Sequence, residues 1–174
     1  QLILLVVMVL AQRFALDRFE ERVLMESRQK SVVAADGVLN GLNMLMINGI
    51  IGNAEQRALY IRKMSASDKV LELRNIRNKP VQDQFGNGLP SEQAFDEMDR
   101  LAMTSSGEQS RLLEQNGVTS LRIVKPFIAL RDFRGTNCLT CHAVPEGTVL
   151  GAATVTLDVS DDFDVIQKAN LALS

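Results

Sequence analysis

The strongest local signal for the fold is Ser110-Arg-Leu-Leu-Glu-Gln-Asn-Gly-Val-Thr-Ser-Leu-Arg-Ile-Val-Lys-Pro-Phe-Ile-Ala-Leu-Arg-Asp132. The Asn116-Gly117 dipeptide at its centre favours the two-residue turn that joins antiparallel strands, so the segment predicts a β-hairpin. The stretches Val70–Arg77 and 151–159 alternate between apolar and polar residues. Each of them predicts a further strand.

Helical patterns flank these strands. Residues 12–66 predict a helix that is interrupted near residues 49–52, with a second helix at 54–64. Residues 79–90 predict a loop because of their proline and glycine content. Ser91 is predicted to cap a helix of about 14 residues, and Ser160 is predicted to begin a helix that runs towards residue 174. The helix after Ser91 places four apolar residues on one face: Phe95, Met98, Leu101 and Ala102.

This order of elements predicts an α+β fold, in which long N-terminal helices precede an antiparallel sheet with flanking helices. The length of 174 residues fits one domain of ordinary size. The net charge of −2 and the aromatic content of 5% argue against a nucleic-acid partner. Such a partner needs a basic face or aromatic stacking platforms.

The N-terminus carries an unbroken apolar run at residues 2–11. A membrane-spanning helix needs about 20 apolar residues, so the run predicts the end of a transmembrane helix at residues 1–12. The helical pattern that follows is charged, and it predicts that the helix leaves the membrane and extends into the next compartment. The alternatives are the core of a signal peptide and a buried helix of a soluble domain.

The motif that carries chemistry is Cys138-Leu-Thr-Cys-His142, which contains both cysteines and the only histidine of the chain. A Cys-x-x-Cys-His sequence is the attachment motif of a c-type haem. The two thiols form thioethers with the porphyrin, and the histidine ligates the iron. The sequence therefore predicts one covalent haem c per chain, bound through Cys138 and Cys141, with His142 on the iron.

Three other interpretations of the motif are weaker. A simple disulfide between Cys138 and Cys141 would leave the adjacent His142 unexplained. A structural zinc site needs four protein ligands, and the chain has no further cysteine or histidine. A thioredoxin-type pair needs its first cysteine at a helix N-terminus, whereas the residues around Cys138 predict a loop.

Several stretches, including this motif, also carry a resemblance to a known family. They are Gly41-Leu-Asn-Met-Leu-Met46, Val70–Arg77, Gln84-Phe-Gly86, Asn137-Cys-Leu-Thr-Cys-His142 and Val144-Pro-Glu-Gly-Thr-Val-Leu-Gly151. In them the chain resembles the periplasmic c-type haem sensor domains of bacterial methyl-accepting chemotaxis proteins, which have a PAS-like fold. The resemblance covers roughly residues 13–174. It implies a homodimer in which the N-terminal helices are exchanged between protomers.

The resemblance and the apolar N-terminus together predict four parts of the chain. A dimerisation segment at 13–66 follows the end of the membrane helix at 1–12. A PAS-like haem c domain occupies 67–160, and a helix at 161–174 leads to a second span. We expect this domain to lie in the periplasm and to be anchored in the inner membrane.

The sixth position of the iron is open to several candidates. A second histidine from the same chain is impossible, so the position is taken by methionine, water or another weak ligand, or it is empty. Met44 is a candidate because Gly37 and Gly41 precede it on one helical face and would let a flat ring approach the backbone. Met46 is a second candidate, although its stripe is typical of core packing. Either sulfur can also come from a partner chain.

The haem propionates need water or cationic partners. The cations nearest to the motif in sequence are Arg122, Lys125, Arg131 and Arg134, and a solvated surface is the alternative for each of them. Phe127 and Phe133 are candidates for packing on the porphyrin, with ordinary core packing as the alternative.

These features predict the extracytoplasmic sensor domain of a membrane signal transducer of the chemotaxis-receptor type. It would report the redox state of its haem, or the binding of a gaseous or other small ligand. The alternative is a membrane-anchored electron-transfer cytochrome c. An enzyme is not predicted, because the sequence shows no catalytic base, nucleophile pair or metal cluster beyond the haem motif.

Overall fold

The computed structural model describes residues 2–172, which contain five α-helices and four β-strands. The helices are α1 (Leu2–Ile47), α2 (Ala54–Ser65), α3 (Lys79–Phe85), α4 (Glu97–Ser105) and α5 (Ser160–Ala172). The strands are β1 (Val70–Arg77), β2 (Gln109–Gln115), β3 (Val118–Ile128) and β4 (Val149–Asp158). Single 3-10 turns lie at Pro90–Glu92 and Cys138–Thr140.

The four strands form one antiparallel sheet in the order β1-β4-β3-β2. The predicted hairpin is confirmed: Gln115 pairs with Val118, and Asn116 and Gly117 form the turn between them. Both turn residues have positive φ angles, 54° and 76°, as the favoured two-residue hairpin turn requires. The other two predicted strands, at residues 70–77 and 151–159, correspond to β1 and β4, and they pair with each other.

The sheet has a helix layer on each face. Neighbouring residues of a strand point to opposite faces, so Leu73, Phe127 and Val155 share one face and pack against α1. On the other face, Ile76 and Val124 pack with residues of α4. The α+β prediction is confirmed. The exchange of helices in a dimer stays a prediction.

Helix α2 packs back onto α1 after the predicted interruption. The Tyr60 hydroxyl donates to the carbonyl oxygens of Gly37 and Val38, at 3.1 and 3.2 Å. A Cβ atom at Gly41 would overlap the Tyr60 ring, so this glycine is what lets the ring approach the α1 backbone. The glycine face of α1 therefore receives a side chain of α2, where the sequence suggested a porphyrin.

Two predictions of local structure were wrong. Residues 79–85 form α3 because the Asn78 side chain caps the helix by accepting from the Lys79 N–H at 2.8 Å. Proline at position 80 is tolerated because it falls in the first turn, where no intrahelical N–H is needed. The next helix begins at Glu97 and not after Ser91, because Asp96 caps it by accepting from the Asp99 N–H at 3.0 Å.

The shorter α4 also buries fewer apolar residues than predicted. Met98 and Ala102 are buried against the sheet, whereas Phe95 and Leu101 are exposed. The Phe95 ring lies over the guanidinium of Arg74, with 4.2 Å between the guanidinium carbon and the ring centroid. Phe95 therefore packs on the guanidinium group of Arg74 and is not part of the apolar core between α4 and the sheet.

Helix α1 crosses the predicted boundary at residues 12–13 without a break. Among residues 2–172, none of the helices combines the length and the apolar composition of a membrane span. The final helix begins at Ser160 as predicted, and residues 173–174 lie outside the described part of the chain.

The contact between Tyr60 and α1 can be tested with two alanine substitutions in the same helix. We expect Gly41→Ala to lower the free energy of unfolding by about 1–3 kcal/mol, because the added methyl group overlaps the Tyr60 ring. Gly37→Ala is the matched control, since its nearest neighbour would be the Met64 methyl carbon at 4.0 Å. It should be neutral or stabilising by about 0.5–1 kcal/mol. Equal effects of the two changes in urea unfolding would contradict the assignment.

Candidate functional site

A cavity of about 550 Å³ lies between the C-terminal part of α1, the sheet and the Cys138–Thr140 turn. This volume is in the range of cofactor and small-molecule sites. Helix α1 lines it with Leu39, Leu42, Asn43, Met46 and Ile47. The sheet contributes Ile76, Phe127, Leu150, Gly151 and Ala152. Most of the wall is therefore apolar, as a porphyrin requires.

The Cys-x-x-Cys-His segment forms one end of the cavity. Asn137 caps its turn by accepting from the Leu139 N–H at 3.0 Å. The Cys138 carbonyl oxygen then accepts from the N–H groups of Cys141 and His142, at 3.3 and 3.0 Å. This tight turn brings all three side chains of the motif to the same cavity. Cys138 is buried and Cys141 is exposed.

Two elements hold this segment in place. The Gln84 side chain, in α3, donates to the Cys141 carbonyl oxygen at 2.8 Å and accepts from the Ala143 N–H at 3.2 Å. The Asn43 side chain, in α1, donates to the Thr136 hydroxyl at 3.0 Å. Side chains of α1 and α3 therefore hold the motif segment in place, and the sequence of the motif alone did not predict these contacts.

The His142 side chain is buried, and its environment fits a metal ligand. Burial lowers the pKa of the imidazole, which favours the neutral form that binds iron. Within residues 2–172, neither ring nitrogen makes a hydrogen bond, and Nδ1 is enclosed by protein atoms. The Phe85 ring packs edge-on against the imidazole, with 5.4 Å between the ring centroids. Nε2 is the nitrogen that remains open to a group bound in the cavity, since it has no partner among the described residues and is not enclosed.

The structure separates the two methionine candidates. Met46 lines the cavity together with His142. Met44 is 56% exposed and lies outside the cavity of its own chain. The reason is the packing of α2, because Tyr60 occupies the glycine face that favoured Met44 in the sequence. Within one chain the order of preference is therefore reversed.

The four cations nearest to the motif in sequence do not line the cavity. Arg122 is buried on the opposite face of the sheet, where it pairs with Asp96 and Asp99. Lys125 and Arg134 both pair with Asp36, at 2.6 and 3.2 Å. Arg131 pairs with Glu146 at 3.1 Å. Each of these cations is thus held by a carboxylate of its own surroundings.

The two phenylalanines have different positions. Phe127 is buried and lines the cavity. Phe133 packs edge-on against Phe127 at a centroid distance of 4.8 Å, but it lies behind the cavity wall. Of these two residues, Phe127 is therefore the one placed to contact a bound ring.

The cavity also contains two arginines that the sequence did not single out. Arg57 in α2 and Arg77 at the end of β1 both line it, and both pair with Glu92. The strand pattern contained a partial signal, since Arg77 shares a face of β1 with Leu73 and Asn75. For Arg57 there was no such signal, because its position depends on how α2 folds back onto the sheet.

The sequence matches no known protein-family model, and it has no significant match among curated proteins. The function of the site is therefore inferred from its own residues and their geometry.

Proposed function

We propose that the chain binds one haem covalently through Cys138 and Cys141, with His142 as an iron ligand. The observation that carries this proposal is that the three residues of the motif share one largely apolar cavity of about 550 Å³. The neutral, buried imidazole supports it further. When bound, the haem would supply an iron centre that can change its redox state or bind a small ligand.

We propose a sensor role because α1 connects the cavity to the other end of the domain. Its residues Asn43 and Met46 line the cavity. About 24 Å away along the helix, the Ser27 hydroxyl donates to the Asp162 carboxylate at 2.9 Å. Lys30 pairs with the same carboxylate at 3.1 Å. Helix α1 thus contacts both the candidate site and the first turn of α5.

Within the chain, Met46 is the residue that we propose as the sixth ligand. It is the one methionine of the described residues that lines the cavity with His142. Met44 can take this role only from a partner chain, since it lies outside the cavity of its own chain.

The exposed Cys141 favours the second candidate function, an electron-transfer cytochrome. A thioether at this position would lie at the protein surface, where a redox partner can approach.

Covalent attachment is tested by maturing the chain with a cytochrome c assembly system. We expect one haem per chain that survives extraction with acidified organic solvent. The double change Cys138→Ala with Cys141→Ala should abolish retention, because no thiol remains in the chain. Haem that stays bound to this variant after denaturation would refute the proposed linkage.

The sixth ligand is tested by the weak near-infrared charge-transfer band of a ferric haem with a thioether ligand. Met46→Leu should remove this band and lower the reduction potential, because a thioether favours ferrous iron. Met44→Leu is the matched control and should change neither. If Met44→Leu removes the band and Met46→Leu does not, the ligand comes from a partner chain.

Sensor and carrier are distinguished by hydrogen exchange of the ferric and ferrous proteins. A sensor should change amide protection near Ser27 and Asp162 as well as at the cavity, because α1 links the two. A carrier should change it only around residues 138–142 and the cavity wall. A variant with Asp162→Asn provides the control, since it weakens the ion pair with Lys30 without touching the cavity.

A further inference from the structure

A buried cluster of three charges stands at the cavity wall. Glu92 is paired with Arg57 at 2.7 Å and with Arg77 at 2.9 Å, and the exposed fractions of these side chains are 2%, 4% and 12%. Both arginines line the cavity, whereas Glu92 lies behind them. Charges this far from water are stable only when they are paired and hydrogen-bonded.

The carboxylate of this cluster is fully engaged. Glu92 accepts from Arg57 at 2.7 and 3.2 Å, from the Asn75 side chain at 3.2 Å and from the Leu89 N–H at 2.9 Å. Burial alone would raise the pKa of Glu92, but these hydrogen bonds and the charge of Arg77 lower it overall. Glu92 is therefore ionised at neutral pH, and the cluster has two positive charges against one negative charge.

The two arginines carry more N–H donors than their protein partners accept. A guanidinium group carries five N–H bonds in a fixed plane. Arg57 directs Nη1 to the Ile51 carbonyl oxygen at 2.6 Å, and Arg77 directs Nη1 to the Gly86 carbonyl oxygen at 3.3 Å. Within residues 2–172, Nη2 of Arg77 has no hydrogen-bond partner. The wall therefore offers N–H donors and one unbalanced positive charge to the cavity.

The backbone at Gly88 packs closely against this cluster. Gly88 has a φ angle of 74°, and a Cβ atom there would overlap both the Glu92 carboxylate and the Arg77 side chain. Only glycine combines this backbone conformation with so close an approach. The backbone thus packs directly on the charged groups and fixes the orientation of the Arg77 side chain.

We propose that Arg57 and Arg77 form a carboxylate-binding wall that holds a haem propionate. This inference rests on the proposed haem site and adds the residues that would bind its acidic groups. A propionate would balance the extra charge through charge-assisted hydrogen bonds, which a planar guanidinium makes in pairs. The other titratable groups that line the cavity are Cys138, Cys141 and His142. The haem itself would engage all three.

The test is the reduction potential of the matured protein between about pH 5 and about pH 8, measured for wild type and Arg77→Gln. A propionate paired with arginine keeps a pKa below this range, so the propionate held by the wall should add no pH dependence to the wild-type potential. In Arg77→Gln this propionate should titrate within the range, and the potential should fall more steeply with rising pH than in wild type, because the negative charge of the deprotonated acid stabilises ferric iron more than ferrous iron. Arg131→Gln is the matched control, since Arg131 is exposed, pairs with Glu146 and lies outside the cavity. It should behave as wild type.

Two results for Arg77→Gln would overturn the proposed propionate contact. A potential that shifts by a constant amount in Arg77→Gln, with no new pH dependence, would show that the arginine acts through space, and it would overturn the propionate contact. An unchanged potential would overturn it as well. Addition of acetate to the wild type should leave the potential unchanged, because the propionate fills the wall. A shift with acetate that Arg77→Gln abolishes would assign the wall to a free carboxylate.

A second measurement decides the matter if Arg77→Gln fails to mature. Redox-difference infrared spectra of the wild type at about pH 5 should show at least one propionate that stays ionised. Protonation of both propionates at this pH would overturn the proposal. Wild-type protein without covalent haem is a separate result, seen before any potential is measured, and it would overturn the proposed function itself.

Discussion

The packing of α1 against one face of the sheet is the contact on which both the core and the cavity depend. Ala35, Val38 and Leu39 are buried in this interface. Each fully buried side chain of the size of valine or leucine contributes about 1.5–3 kcal/mol. The last turns of the same helix pass over the sheet at the cavity, where Leu42 and Met46 form part of its wall. A shift of α1 would therefore alter the core and the site together.

The sheet carries an ionic cluster on each side, and the two clusters differ in composition and in exposure, since Glu72 and Asp96 under α4 are 41% and 47% exposed. The cluster under α4 consists of Arg74, Arg122, Glu72, Asp96 and Asp99. Its two arginines face three carboxylates, and its members pair with one another at the packed interface between α4 and the sheet. The cluster of Arg57, Arg77 and Glu92 has the opposite imbalance and stands at a cavity. Because an unbalanced buried charge is costly, this second arrangement supports the proposal that an anionic group binds there.

Local patterns in the sequence predicted the elements that depend on local chemistry. The Asn116-Gly117 turn, the alternation in β1 and the spacing of Cys138, Cys141 and His142 each act over a few residues, so they were apparent without the fold. The choice between Met44 and Met46 was not local, because it depends on which face of α1 is covered by Tyr60. The cations that line the cavity were not predicted either, because closeness to the motif in sequence does not determine which side chains reach the cavity. Arg57 reaches the cavity from a helix far from the motif, while Arg122 is drawn to the opposite face by Asp99.

The contact between α1 and α5 gives the proposed sensor a physical route for its signal. A change at the iron can shift the protein only if its two states make different contacts with the rest of the chain. Met46 and Asn43 are placed to make such contacts, and Asn43 already ties α1 to the haem-motif segment through Thr136. At the other end, hydrogen bonds from Ser27 and Lys30 outweigh partial burial and lower the pKa of Asp162, so the ion pair persists at neutral pH. A rotation or translation of α1 would therefore move the start of α5 with it, because a charged hydrogen-bonded contact is costly to break and the helix between its two ends is continuous.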